Sequence, residues 1–241
     1  GRRGRRALSL YAYCLCEESA AEASAGGRGV GGAEVSALRL GSLAALVSEF
    51  EGERVAVTRE NVLAHSRVNA RALAVTTPLP FRFGTLAEAE RLAAYVAANE
   101  AGLREALARV SGHVEMGAKV LRAAAEAETR AGLAEEPGAA AGSGTAYLLA
   151  KRRAIEGGEA LMREAEGAAA WLAGVVSDLA RESSVSVNPA GQIVVRAAHL
   201  VERGRAAEYR ARLREAGERR PELRLLTSGP WPPYSFGPPR S

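Results

Sequence analysis

The chain has 241 residues, 47% hydrophobic and 25% charged, a balance that excludes a disordered protein and leaves room for one large or two small domains. Its formal charge of +4 resides in Arg2, Arg3, Arg5 and Arg6; the rest carries 28 basic and 28 acidic residues, so no nucleic-acid partner is expected. No stretch approaches the roughly 18 to 20 uninterrupted apolar residues of a membrane span, and the run after the arginines is too short for a secretory signal. A cytoplasmic protein without a membrane partner is the expectation.

Residues 7–16, ALSLYAYCLC, read as a strand. Cys14 and Cys16 are two apart on one strand, where a disulfide would be strained, so both are expected as buried free thiols. A loose Ala/Glu/Ser/Gly segment ends in GGRGVGG (26–32). There Gly27, Gly29 and Gly32 satisfy G-x-G-x-x-G, but the strand-like AEVSALRL follows instead of the helix N-terminus a phosphate requires, which makes the segment a flexible connector. GSLAALVSEF (41–50) is another strand, entered through a Gly41-Ser42 turn.

Thr58 can cap a helix running to about Ala74. In TPLPFRFGT, Leu79, Phe81 and Phe83 alternate with Pro80 and Arg82, the period of an edge strand. Thr85 and Glu88 have the spacing of a capping box for a helix with Leu92, Val96, Leu103, Leu107 and Val110 along one stripe. HVEMGAKVLR (113–122) alternates Val114, Met116, Ala118 and Val120 against polar or small residues and is the most strand-like segment of the chain. Residues 123–144, rich in alanine and glycine, read as a solvated insert.

A long helix is expected from residues 143–145 toward Glu182. Leu148, Ile155, Met162, Ala169 and Val176 recur every seven residues, with Ala165, Leu172 and Leu179 between them, a partly heptad-patterned seam in which Gly157-Gly158 invites a bend. SSVSVNPAGQIVVRAAHL reads as a hairpin turning at Asn188–Gly191, followed by a helix over about 199–217 and a strand at 222–227. The fold class is therefore α+β in two domains: an N-terminal mixed α+β domain over 7–112, and over 113–241 the order βαββαβ of a ferredoxin-like domain, carrying the 123–144 insert and an aromatic, proline-rich tail.

Local signatures of catalysis are missing from the sequence. His65, His113 and His199 are isolated from one another and from metal-ligand spacings, and no G-x-S-x-G, Walker loop or C-x-x-C occurs, so no catalytic, cofactor-binding or metal residues are assigned. His113 is read as a structural group paired with Glu115. The strands that would stack bases in an RNA-binding ferredoxin-like sheet carry no aromatic residue.

The tail GPWPPYSF (229–236) holds three of the chain's twelve aromatics. Trp231, Tyr234 and Phe236 offer large apolar area, while Pro230, Pro232 and Pro233 withhold backbone donors from any added strand. Two roles are open: folding back over the chain's own domains, or contacting a partner. Arg82 and Glu115 are candidates for an interdomain ion pair that would set the domain angle.

Six segments together resemble the GvpL/GvpF family of gas vesicle proteins: LYAY (10–13), GSLAALVSEF (41–50), PLPFRFGT (78–85), GHVEMGAKV (112–120), GTAYLLAKRR (144–153) and LRLLTSGPWPPYSF (223–236). Their order and spacing hold over nearly the whole chain. The resemblance implies a non-enzymatic accessory protein of gas vesicle formation that engages the apolar shell-forming protein and other accessory proteins and needs no cofactor. Outside that class, the competing reading is a ferredoxin-like small-ligand regulatory module or enzyme, which would show a deep pocket lined by convergent polar groups.

Overall fold

The computed structural model describes residues 9–122 and 144–237, with side chains outside 144–150 and 152–154. The arginine-rich arm and nearly all of the expected 123–144 insert lie outside the described residues. The chain divides into two compact units, one of residues 1–115 with 230–241 and one of residues 116–229.

The first unit is built on β1 (Ser9–Glu17), β2 (Val35–Leu40), β3 (Leu43–Phe50) and two short pieces, β4 (Leu79–Pro80) and β5 (Leu86–Ala87). The strands run in the order β2-β3-β1-β4, with β5 also on β1, and the registered pairs are antiparallel. Tyr11–Cys16 and Leu43–Ser48 are buried without interruption, which a sheet achieves only with both faces covered. Between Ala12 and Cys14 the β1–β3 register shifts by a bulge. The extra residue, Tyr13, shifts the alternation, so that Tyr11, Tyr13, Cys14 and Cys16 all enter one core cluster. The cysteines are buried free thiols, as the sequence led us to expect.

Helix α1 (Glu18–Ser24) adds Ala20 and Ala21 to that cluster, and α2 (Arg59–Val75) adds Ala64, Val68 and Ala72. The Thr58 hydroxyl accepts from Asn61 N at 3.2 Å, an N-cap that contributes about 1 kcal/mol. Helix α3 (Ala89–Val110) packs against β1 and β2 and buries Leu92, Val96, Leu103, Ala106 and Val110, the expected stripe with Ala106 in place of Leu107. Its capping box does not form: Thr85 Oγ1 donates to Arg82 O at 2.7 Å, which tightens the turn at Gly84 and leaves the helix to start at Ala89 without a side-chain cap. The Leu79–Phe83 strand is likewise shorter than its alternation suggests. Pairing stops at Pro80, and Phe81 N makes one further bond to Tyr13 O at 2.8 Å.

The glycine-rich segment is bonded at both ends. Gly26 N reaches Val35 O at 2.7 Å and Gly29 N reaches Ala33 O at 2.7 Å, around a single 3-10 turn at Val30–Gly32. Arg71 on α2 donates to Ser24 O at 2.7 Å and to Gly26 O at 2.5 Å. The expected flexible connector is in fact a strapped turn.

The second unit contains a sheet ordered β7-β8-β6-β9, from β6 (His113–Arg122), β7 (Ala180–Val187), β8 (Ile193–Glu202) and β9 (Leu223–Trp231), with β7 antiparallel to β8. Strand β6 buries Val114, Met116, Ala118 and Val120, the alternation visible in its sequence. Helix α4 (Gly144–Val175) ends seven residues before the expected Glu182, because β7 already begins at Ala180. Ala165, Leu172, Val176 and Leu179 of the heptad pattern are buried, whereas Ile155 and Met162 are exposed. Residues 199–202 belong to β8 and not to a helix; α5 spans Ala206–Glu218. Arg122, almost fully buried, pairs with Glu164 at 3.2 Å and donates to Pro189 O and Gly191 O at 2.8 and 2.9 Å, which fixes the Asn188–Gly191 turn. No helix of the described residues is long and apolar enough to cross a membrane.

Candidate functional site

The first unit gathers four of the chain's twelve aromatic side chains around one buried histidine. Strand β1 presents Tyr11 and Tyr13, α2 presents His65 and Asn69, the turn after β4 presents Phe83, and the tail brings Tyr234. Tyr11 Oη lies 2.8 Å from His65 Nδ1 and accepts from Gly84 N at 3.1 Å; Tyr234 Oη lies 3.0 Å from His65 Nε2. Asn69 Nδ2 lies 3.1 Å from the same Nε2 and donates to His65 O at 3.2 Å. The neighbouring rings close the cage: His65 stacks near Tyr13 at 5.9 Å between centroids and meets Phe83 edge-on at 5.8 Å.

Burial sets the protonation states. His65 is 4% exposed and its pKa falls to about 4, because the cage cannot solvate an imidazolium. The Tyr11 phenol is pushed up to about 12 and that of Tyr234 also rises, both chiefly by burial. At neutral pH the chain Tyr11–His65–Tyr234 is therefore uncharged and works as a hydrogen-bonded clasp.

Two more anchors follow along the tail. The Glu115 carboxylate accepts from Ser235 N at 2.7 Å and Ser235 Oγ at 3.1 Å; burial raises its pKa and these two bonds pull it back. Arg109 Nη2 donates to Phe236 O at 2.6 Å. Within the tail, Tyr234 N bonds Pro232 O at 2.8 Å and Phe236 N bonds Pro233 O at 3.2 Å, so the prolines shape a tight turn. Phe236 is buried, as are Pro232 and Pro233, while Trp231 and Tyr234 keep 46% and 41% of their surface in solvent.

Of the residues singled out in the sequence, Trp231, Tyr234 and Phe236 thus share the tail but not one environment. Glu115 is held by Ser235, Arg82 is exposed, and no ion pair joins the two among the described residues. His113 does not pair with Glu115 either: its Nδ1 donates to Ser111 O at 2.7 Å. His65, Asn69 and Arg109 were not picked out as tail anchors. Only the position of His65 on the buried face of α2, one turn before Val68 and Asn69, carried a signal. Among the described residues no group of three or more His, Cys, Asp or Glu side chains is placed to hold a metal ion.

Replacing Glu115 by Ala is expected to remove both Ser235 bonds and about 1–2 kcal/mol of tail anchoring. Chymotryptic cleavage after Tyr234 and Phe236 should then accelerate at least several-fold; a rate equal to that of the unaltered protein would show that Glu115 does not hold the tail.

The fold and the clasp define an α+β protein with two antiparallel sheets, in which an aromatic tail is fastened onto the first unit. The family model described as gas vesicle synthesis protein GvpL/GvpF matches residues 9–238, and the chain belongs to that family. It is 30% identical over 260 residues to gas vesicle protein L of a Streptomyces sp., covering 94% of this chain and 91% of the relative. It is 28% identical over 243 residues to gas vesicle protein F from the same organism, covering 95% and 99%. Its fold is similar to the crystal structures of GvpF from Anabaena sp. (TM-score 0.74, 20% identity, 95% of both chains) and from Microcystis aeruginosa (TM-score 0.76, 20% identity, 95% of this chain and 98% of that one). Family membership gives the chain a role in gas vesicle formation as an accessory protein.

Proposed function

We propose that the protein is a non-enzymatic, cytoplasmic assembly factor that binds the apolar shell-forming gas vesicle protein and other accessory proteins, and that some of it is retained as a minor vesicle component. Shell subunits of a gas-facing wall expose apolar surface before they assemble, and such surface aggregates unless a partner covers it. The observation that carries the reading is the pinned tail. Trp231 and Tyr234 stand about half exposed on a segment that His65, Glu115 and Arg109 hold in place, so two large rings are presented without the entropy cost of ordering them on contact. Val62, exposed one turn before His65 on α2, adds aliphatic surface on that helical face. The second unit is read as ferredoxin-like, supported by its element order βαββαβ and by a sheet in which the first and third strands are central.

The test is to mix the purified protein with the isolated shell-forming protein and follow turbidity and sedimentation. Soluble co-elution is expected, weakened about tenfold or more by Trp231→Ser. Shell protein that precipitates as fast with this protein as without it would end the proposal.

A further inference from the structure

The second unit has a free sheet edge with a groove beside it. Among the described residues β9 pairs with β6 on one side and with no strand on the other, and Arg224, Leu226, Thr227 and Ser228 are exposed along it. Between β9 and α5 runs an open groove of about 780 Å³. Its floor is apolar: Leu213 from α5, Leu223 and Leu225 from β9, and Gly217, where an added Cβ would stand 3.4 Å from Leu225 Cδ1.

The rim is basic. Arg210, Arg214 and Arg224 line the groove against a single acid, Glu218. Arg210 Nη2 donates to Gly229 O at 2.6 Å and ties the helix to the strand at one end. Arg214 and Arg224 make no ion pair among the described residues, in contrast to Arg205, Arg212, Arg219 and Arg220, each of which has a carboxylate partner. Alternation along β9 puts Arg224 on the sheet face opposite Leu223 and Leu225.

We propose that this groove is a strand-docking site for an extended segment of a partner protein in which apolar residues alternate with acidic ones. The docked segment continues the sheet through the open main-chain groups of β9. Its apolar residues face the helix and fill the space over Leu213, Gly217 and Leu225; its acidic residues lie on the other face and meet Arg224, while Arg214 on the rim adds to the positive field they enter. A second copy of this chain fits poorly. Antiparallel β9–β9 pairing would bring against Arg214 and Arg224 a strand, Leu223–Trp231, that holds no acidic residue, and Pro230 withholds a donor near the strand's end. The site is independent of the tail surface and stands or falls apart from the reading above.

The experiment measures fluorescence anisotropy with the full chain and two labelled synthetic peptides of about ten residues, one alternating valine with glutamate and one alternating valine with lysine. The glutamate peptide is expected to bind with Kd on the order of 10 μM and the lysine peptide at least about tenfold more weakly. The double variant R214E/R224E, whose substitutions lie at exposed positions and whose fold is checked by circular dichroism, should reverse that order. Hydrogen exchange should slow at 223–229 when the glutamate peptide is added. Equal affinity for the two peptides, no binding at about 1 mM, unchanged binding by the variant, or protection confined to other segments would each overturn the proposal. So would a dimer in sedimentation whose formation alone protects 223–229, since the occupant would then be a second copy.

Discussion

Acidification from pH 7 to pH 4 is expected to destabilise the protein by about 3 kcal/mol for each of two buried histidines, one in each unit. His65 and His199 are 4% and 1% exposed, and burial lowers each pKa from 6.5 to about 4. In the unfolded chain both rings take up a proton as the pH falls through 6.5; in the native chain neither does so until about 4. The neutral-ring stabilisation is thus complete above pH 6.5 and declines between 6.5 and 4 by about 1.4 kcal/mol per pH unit for each histidine.

The surroundings of the two rings do not rescue the charge. His65 faces Tyr11, Tyr13, Asn69, Phe83 and Tyr234, none of them anionic at these pH values, and His199 Nδ1 lies 2.7 Å from the Tyr209 hydroxyl. Glu115, whose pKa is raised by burial, acts in the opposite direction. Against a typical total of about 5–15 kcal/mol, the combined loss brings the protein close to unfolding near pH 4. Urea titrations at several pH values check it, with His199→Gln expected to remove about half of the dependence. A midpoint that stays constant from pH 7 to pH 5 would contradict the assignment of both rings as neutral.

Gly29→Ala is expected to cost about 3 kcal/mol or more, the largest effect of any single methyl group in the first unit. The backbone at Gly29 is ordinary extended conformation, so its dihedrals are not the obstacle. The obstacle is closeness. A Cβ there would overlap the Tyr13 hydroxyl oxygen and stand 2.9 Å from both Tyr13 Cζ and Val35 Cγ2. Tyr13 cannot move aside, since it is fully buried, accepts from Val30 N at 2.7 Å and shares a hydrogen bond with Ser48 Oγ at 2.9 Å. A double-mutant cycle with Tyr13→Phe isolates the clash: Gly29→Ala should cost at least about 1 kcal/mol less in the Phe background. Additive losses would place the strain elsewhere.

The same residue illustrates what could be read from the chain and what could not. G-x-G-x-x-G spacing around Gly29 was set aside as a connector because no helix followed, and the segment is indeed no nucleotide loop. What the spacing could not reveal is that Gly29 is small because a tyrosine hydroxyl sixteen residues earlier in the chain needs the space. Patterns of period two or 3.6 within one element were legible: the buried stripe of α3 and the alternation of β6 appear as their sequences suggest. Elements decided by distant partners were not. The helix expected from about residue 199 starts later, because pairing with β7 keeps the chain in β8 through Val201. Thr85 and Glu88 had the right spacing for a capping box, but the Thr85 hydroxyl closes the preceding turn instead. The tail's composition announced an apolar role, whereas its seat beside His65 depends on a contact between residues 169 positions apart, for which no local signal exists.

That long-range contact also orders events on the ribosome. Everything from Met116 to Gly229 must be translated before Tyr234, Ser235 and Phe236 emerge, so the first unit waits through the synthesis of the second without its final closing piece. During that interval the nascent chain lacks the groups that meet His65 and Arg109, and completion of the first unit waits for the codons of Tyr234 and Phe236.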